Sequence, residues 1–212
     1  MSDTQPNIVL TGFMGTGKST VGKRLAERTG RTFVDLDDEL VATHGPIAQV
    51  FAEQGEDEFR RLEREAVVKV AARRNLVIAT GGGTMLDDEN VASLLSAEIV
   101  TLTATPETIL ERALGDGIEA RPLLAGAEEP LSEVERLLEE RAPAYGRFTS
   151  IDTTDKSIDS VVDEIIGTEE ESSTQAASNS GGPGDSSEKY FYAVIIALTV
   201  IALILLIAVL SF

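Results

Sequence analysis

The chain has no cysteine, one histidine and only five lysines among its 212 residues. Without cysteine there is no disulfide framework, no thiolate metal site and no thiol nucleophile. A cytoplasmic setting for the soluble part fits that absence. The one histidine, His44, stands in a polar stretch before Gly45-Pro46 and reads as an exposed loop residue, not a catalyst. Basic charge is scarce, with 18 Lys and Arg against 36 Asp and Glu, a net charge of −18. That excludes a general nucleic-acid binder, because neutralising phosphates takes clustered Lys and Arg.

The acidity is spread along the chain. Residues 1–167 hold 17 basic and 31 acidic groups, a net of −14, and residues 168–189 add a net of −4. Arginine outnumbers lysine thirteen to five. Two readings stay open: adaptation to a salty cytoplasm, where screening relieves self-repulsion, or a merely acidic soluble protein. A melting-temperature series from low to molar KCl separates them.

Three segments follow from composition. Residues 7–167 alternate short apolar runs with amphipathic stretches. Strands are predicted at 7–11, 32–35, 76–80, 99–103 and 149–152, helices at 18–29, 56–74, 87–95, 106–114, 131–142 and 157–166. Continuous apolar runs suit strands covered on both faces, and strand–helix alternation predicts an α/β fold with a parallel sheet. Residues 168–189, rich in Glu, Ser and Gly, have almost nothing to bury and read as a flexible linker. Residues 190–212 are 23 residues without a charge. As a helix they extend roughly 35 Å, enough to cross a membrane. Tyr190, Tyr192 and Lys189 suit one interface. The expectation is a single C-terminal transmembrane helix that anchors a cytoplasmic domain, at the inner face of the cell membrane.

Gly12-Phe13-Met14-Gly15-Thr16-Gly17-Lys18-Ser19 matches G-x-x-x-x-G-K-[ST] directly after a predicted strand and before a helix. Glycines let the backbone curl until its N–H groups face phosphate oxygens, reinforced by the helix N-terminus. Lys18 then reaches the outer phosphates and Ser19 offers its hydroxyl to Mg²⁺. This is a nucleoside-triphosphate site, with Gly12, Met14, Gly15, Thr16, Gly17, Lys18, Ser19 and Thr20 as its candidate lining. No N-K-x-D base-reading motif accompanies it, which speaks against a GTPase switch.

Other candidates fall at strand ends, where α/β sheets present ligand groups. Asp35 and Asp37 close the second strand, to hold metal-bound water and a substrate hydroxyl, or simply to cap a helix. On the helix opened by Gly55-Glu56, the apolar Phe59, Leu62, Ala66, Val67 and Val70 take one face. Arg60 and Glu63 lie one turn apart on another. Arg61 and Arg64 read as solvated charges. Gly81-Gly82-Gly83 follows the third strand and suits close approach of a ligand, or a plain wide turn.

Taken together, residues 7–167 resemble the shikimate kinase family. The resemblance rests on Gly12–Ser19, Asp35-Leu36-Asp37, Gly55-Glu56 with Phe59-Arg60 and Glu63, and Gly81-Gly82-Gly83. It continues in Arg121-Pro122-Leu123-Leu124 and Glu140-Arg141-Ala142-Pro143-Ala144-Tyr145. It implies a P-loop kinase fold, with a five-stranded parallel sheet between helices and a mobile lid. The implied reaction moves the γ-phosphoryl of ATP, with Mg²⁺, to the 3-hydroxyl of shikimate in aromatic amino-acid biosynthesis.

The same resemblance implies roles for single residues. Asp37 would hold the substrate hydroxyls and accept the proton, while Arg60 and Arg141, with backbone at Gly81, Gly82 and Gly83, would grip the carboxylate. Arg121 on the lid would close over the phosphates, Arg112 would lie along the adenine, and Asp35 would sit near the metal through water. Catalysis would fall to Lys18, Asp37 and Arg121, in a monomeric catalytic domain. The segment before Arg121, Gly115-Asp116-Gly117-Ile118-Glu119-Ala120, is acidic, which a phosphate-covering lid does not require. Two other readings stay open: a P-loop kinase of another hydroxy acid such as gluconate, and a membrane-anchored nucleotide-binding scaffold.

Overall fold

The computed structural model describes residues 5–115, 124 and 127–179. Contacts divide the chain into a unit ending at Glu169 and a second beginning at Glu170. The sheet and the candidate site belong to the first.

All five predicted strands form: β1 (Ile8–Thr11), β2 (Thr32–Asp35), β3 (Leu76–Ala79), β4 (Glu98–Thr103) and β5 (Thr149–Asp152). They make one parallel sheet in the order β2-β3-β1-β4-β5. Ile8 pairs with Val77 on one side and Glu98 on the other, so β1 is central. Both β1 and β3 are buried along their whole length, as continuous apolar runs require.

Side chains alternate between two cores with the period of two that a strand dictates. Ile8, Leu10, Val77 and Val100 face α1 (Lys18–Thr29) and α7 (Ile158–Asn179), where they meet Leu25 and Ile165. Val9 and Ile78 face α3 (Ile47–Ala71) and α4 (Asp88–Leu94), meeting Val67, Val70 and Leu94. A third cluster joins Phe13 to α5 (Pro106–Gly115) and α6 (Pro130–Tyr145) through Ile109, Leu137 and Tyr145. Each fully buried Leu or Ile contributes roughly 1.5–3 kcal/mol of transfer free energy. Crossing from β2 and β3 on one side of β1 to β4 and β5 on the other opens a crevice at the carboxyl ends of the strands.

The structure departs from expectation at several ends. A helix α2 (Leu36–His44) starts at the Asp35 cap, one of the two readings open for that residue, and a 3₁₀ turn that was not predicted covers Thr84–Leu86. Only Leu36 and Leu40 are buried on α2, too few for a readable apolar stripe. His44 is exposed as expected, but it ends a helix rather than sitting in a loop. The helix expected from residue 56 begins at Ile47 and bends at Gly55, whose φ of 84° breaks the helical backbone. Helix α6 continues through Pro143 to Tyr145 instead of stopping at 142.

Helix α7 runs to Asn179, so the first twelve residues of the expected flexible linker are helical. Thr168–Asn179 contains no glycine or proline to interrupt a helix. The rest of that linker, the expected transmembrane stretch 190–212, and the lid stretch 116–123 lie outside the described residues. Among the described residues, no helix is long and apolar enough to cross a membrane.

Candidate active site

The phosphate loop joins β1 to α1. Gly12, Gly15 and Gly17 have φ of 129°, 75° and 91°, the left-handed region that glycine tolerates and other residues resist. Space reinforces conformation: a Cβ on Gly12 would strike the Leu102 carbonyl, and one on Gly15 would lie 3.1 Å from the Ile109 carbonyl oxygen. The Thr16 hydroxyl donates to the Phe13 carbonyl at 2.8 Å and clips the loop shut. Lys18 Nζ donates to the Gly12 and Phe13 carbonyls, both at 2.9 Å, which holds the ammonium at the loop.

Asp35 serves two elements. Its Oδ2 accepts from the Ser19 hydroxyl at 2.6 Å, and its Oδ1 accepts from the Asp37 N–H at 3.1 Å as the cap of α2. The hydroxyl thus sits beside a carboxylate, a pair of hard oxygen donors suited to Mg²⁺. Among the described residues, no group of three or more His, Asp or Glu could hold a metal by itself. Such a site fits an ion that keeps phosphates and waters as its other ligands.

Asp37 is the second residue of α2, in its first turn. Burial pushes its carboxyl up to about 6, the negative charge of Asp35 adds to this, and Lys18 opposes it. A carboxylate poised near neutrality is the state a general base needs.

The three glycines after β3 each lie against a different functional side chain. A Cβ on Gly81 would come within 2.8 Å of Asp37 Oδ1, and one on Gly83 within 3.0 Å of Arg60 Nη1. Between them, the Gly82 carbonyl accepts from Arg141 Nη1 at 3.4 Å and from the Tyr145 hydroxyl at 2.5 Å. The Arg141 guanidinium lies 5.3 Å from the centre of the Phe13 ring, and its Nε is buried with no hydrogen-bond partner. Arg60 pairs with Glu63 at 2.9 Å and Glu56 at 3.3 Å. Glu63 is 2% exposed and also accepts from the Thr84 hydroxyl at 2.7 Å.

Arg112 closes the far end. Its guanidinium donates to the Gly15 carbonyl at 3.0 Å and to the hydroxyl and carbonyl of Thr153 at 3.0 and 2.9 Å. A cleft of about 450 Å³ runs between these parts, lined by residues 14–20, Asp35, Asp37, Gly82, Arg112 and Lys156.

The structure therefore brings together every candidate among the described residues, with one division. Residues 14–20, Asp35, Asp37, Gly82 and Arg112 line the cleft and Gly12 does not, whereas Arg60 and Arg141 flank the glycine loop beside it. Arg121 lies outside the described residues. Sequence reasoning missed Thr84, Thr153, Lys156 and the hydroxyl of Tyr145, and gave Glu63 no role. Thr153 directly follows β5, so its place at a strand's carboxyl end was an available signal.

Against known proteins, the shikimate kinase family model matches residues 14–169. A shikimate kinase of Symbiobacterium thermophilum is 46% identical over 164 residues, covering 76% of this chain and 94% of that one. One from Caldanaerobacter subterraneus subsp. tengcongensis is 45% identical with the same coverage. Among solved structures, shikimate kinase from Acinetobacter baumannii in complex with shikimate superposes with a TM-score of 0.72 at 36% identity, covering 77% of this chain and 92% of that one. A gluconokinase from Sinorhizobium meliloti, at 24% identity and a TM-score of 0.52, shares the fold alone. By its family model, its relatives and its ATP-dependent kinase architecture, the chain belongs to the shikimate kinase family.

Proposed function

We propose that this chain transfers the γ-phosphoryl of ATP to the 3-hydroxyl of shikimate, giving shikimate 3-phosphate for aromatic amino-acid biosynthesis. The observation that carries this reading is the convergence of Arg60 and Arg141 on the Gly82–Gly83 peptide, beside Asp37 at Gly81. That arrangement offers two guanidinium forks to a carboxylate and a base to a hydroxyl. The buried, unpartnered Nε of Arg141 is a donor in want of an anion.

The phosphate loop and Lys18 hold the nucleotide, and Arg112 with Thr153 walls the base. Asp37 orients the acceptor hydroxyl and takes its proton as the new P–O bond forms. Arg121 on the lid neutralises charge on the transferred group. Ser19, with Asp35 through water, would hold Mg²⁺, which would offset the charge of the phosphates. Phosphoryl transfer asks for positioning and charge neutralisation more than covalent chemistry, and in a domain of net −14 these arginines reverse the local field.

The charge-free stretch 190–212 supports a second part of the reading: a C-terminal helix tethers the kinase to the cytoplasmic face of the cell membrane, where ATP is available. Carbonate extraction of membranes tests it. Retention of the full chain and release of residues 1–167 is expected; release of both refutes the anchor.

ADP release by residues 1–167 with ATP, Mg²⁺ and either shikimate or gluconate, at low and molar KCl, tests the activity. Shikimate-dependent turnover is expected. Turnover on gluconate alone would transfer the reading to a sugar-acid kinase, and nucleotide binding without turnover to a scaffold.

A further inference from the structure

Tyr145 closes α6 four residues after Arg141, so the two side chains share a face of the helix. Both donate to the same acceptor, the Gly82 carbonyl, but not equally. The arginine contact is long at 3.4 Å, whereas the phenol reaches 2.5 Å and is the stronger hold. The tyrosine itself is well fixed. Its ring packs in the cluster with Phe13 and Leu137, and its backbone carbonyl accepts from the buried Thr101 hydroxyl of β4 at 2.9 Å. Burial also raises the phenol's pKa, so it stays a donor at working pH.

Arg60 lies beside the same peptide. A Cβ on Gly83 would come within 3.0 and 3.2 Å of its two terminal nitrogens, so the guanidinium fills the space a side chain there would take. The Gly82–Gly83 peptide therefore borders both arginines, and a shift in it would be felt by both. Packing accounts for the ring of Tyr145; it does not account for a hydroxyl aimed at this carbonyl.

We infer that Tyr145 is a positioning residue of the acceptor site, its hydroxyl fixing the Gly82–Gly83 peptide against which Arg60 and Arg141 are set. The inference rests on the carboxylate-gripping role proposed for those arginines. It predicts an effect on acceptor binding rather than on nucleotide binding or on the fold.

Two variants of the full chain test it. Tyr145→Phe keeps the ring and removes the hydroxyl; Thr101→Val releases the backbone of the same residue and leaves the hydroxyl. Steady-state kinetics and thermal melts are compared with the unsubstituted chain. Tyr145→Phe is expected to raise the shikimate KM roughly three- to tenfold, the loss of one good hydrogen bond's alignment, while the ATP KM stays put and unfolding stays cooperative. Thr101→Val is expected to lower the melting temperature and to raise the shikimate KM less than Tyr145→Phe does. An unchanged shikimate KM in Tyr145→Phe overturns the inference. Equal rises in both KM values, an equal KM rise in Thr101→Val, or loss of cooperative unfolding in Tyr145→Phe does so too, since each points to a general structural part. No shikimate-dependent turnover by the unsubstituted chain refutes the underlying reading itself, a failure visible before any variant is made.

Discussion

The Arg60 guanidinium donates to the Glu63 carboxylate at 2.9 Å, one turn along α3, and the two differ sharply in surroundings: the arginine side chain is 31% exposed, the glutamate 3%. The buried partner therefore depends on the half-buried one. Removing Arg60 leaves Glu63 with only the Thr84 hydroxyl among its two described partners.

Arg60→Ala is expected to do two separable things. Stability falls by about 1–3 kcal/mol, below the cost of breaking a fully buried pair because Arg60 already meets water. The shikimate KM rises at least about tenfold while the ATP KM holds, as loss of one charge-assisted fork requires. Denaturant melts and steady-state kinetics on the same preparation check both.

Asp37 sets the pH dependence. Its folded-state pKa of about 6 lies above its ordinary 3.8, chiefly through burial and then the charge of Asp35. As a base it must be ionised, so kcat/KM is expected to fall as pH drops through about 6. Stability moves oppositely. The native state holds this proton more tightly than the unfolded chain, so its contribution to stability decreases from pH 4 to 6, and the ionised carboxylate is a fixed cost above that. Asp37→Asn is expected to abolish turnover and to melt higher than the parent at pH 7.5. A normal rate in that variant refutes the base.

The glycine loop separates binding from chemistry. Alanine at position 83 intrudes on Arg60, so Gly83→Ala is expected to raise the shikimate KM severalfold. Alanine at position 81 intrudes on Asp37 Oδ1, and Gly81→Ala is expected to lower kcat by at least about tenfold. Gly55→Ala is the control: its φ of 84° makes it cost about 1 kcal/mol, yet its Cβ meets open space. Its KM values are expected to stay at the parent's, and kinetics on all three decide it.

At the metal end, Asp35→Asn keeps a competent cap for α2 and removes the charge beside Ser19. A stability change within about 1 kcal/mol and a severalfold rise in the Mg²⁺ needed for half-maximal rate are expected. Asp35→Ala adds the loss of the cap, about 0.5–2 kcal/mol. Magnesium titrations of activity beside thermal melts separate the two losses.

What was legible in the sequence was whatever announces itself locally. The strands are continuous apolar runs, and the phosphate loop is a contiguous string with its glycines, Lys18 and Ser19 at the spacing the motif requires. Asp35 read equally well as a helix cap or a metal neighbour, and the structure shows one oxygen on the cap and the other on Ser19. What was not legible depends on distant partners. Glu63, three residues after an arginine, looks like half of a surface pair; only Thr84, 21 residues on, shows it buried. The hydroxyl of Tyr145 finds its acceptor 63 residues away, and Arg112 grips Gly15 across 97.

That last grip has a consequence for how the protein comes into being. Arg112 ties the loop after the first strand to Thr153, the residue that follows the last one. A growing chain acquires its phosphate loop almost at once, but the wall that Thr153 and Arg112 build waits for β5 to leave the ribosome. The tie between the phosphate loop and Thr153 is thus available only once residues 1–153 have all been made.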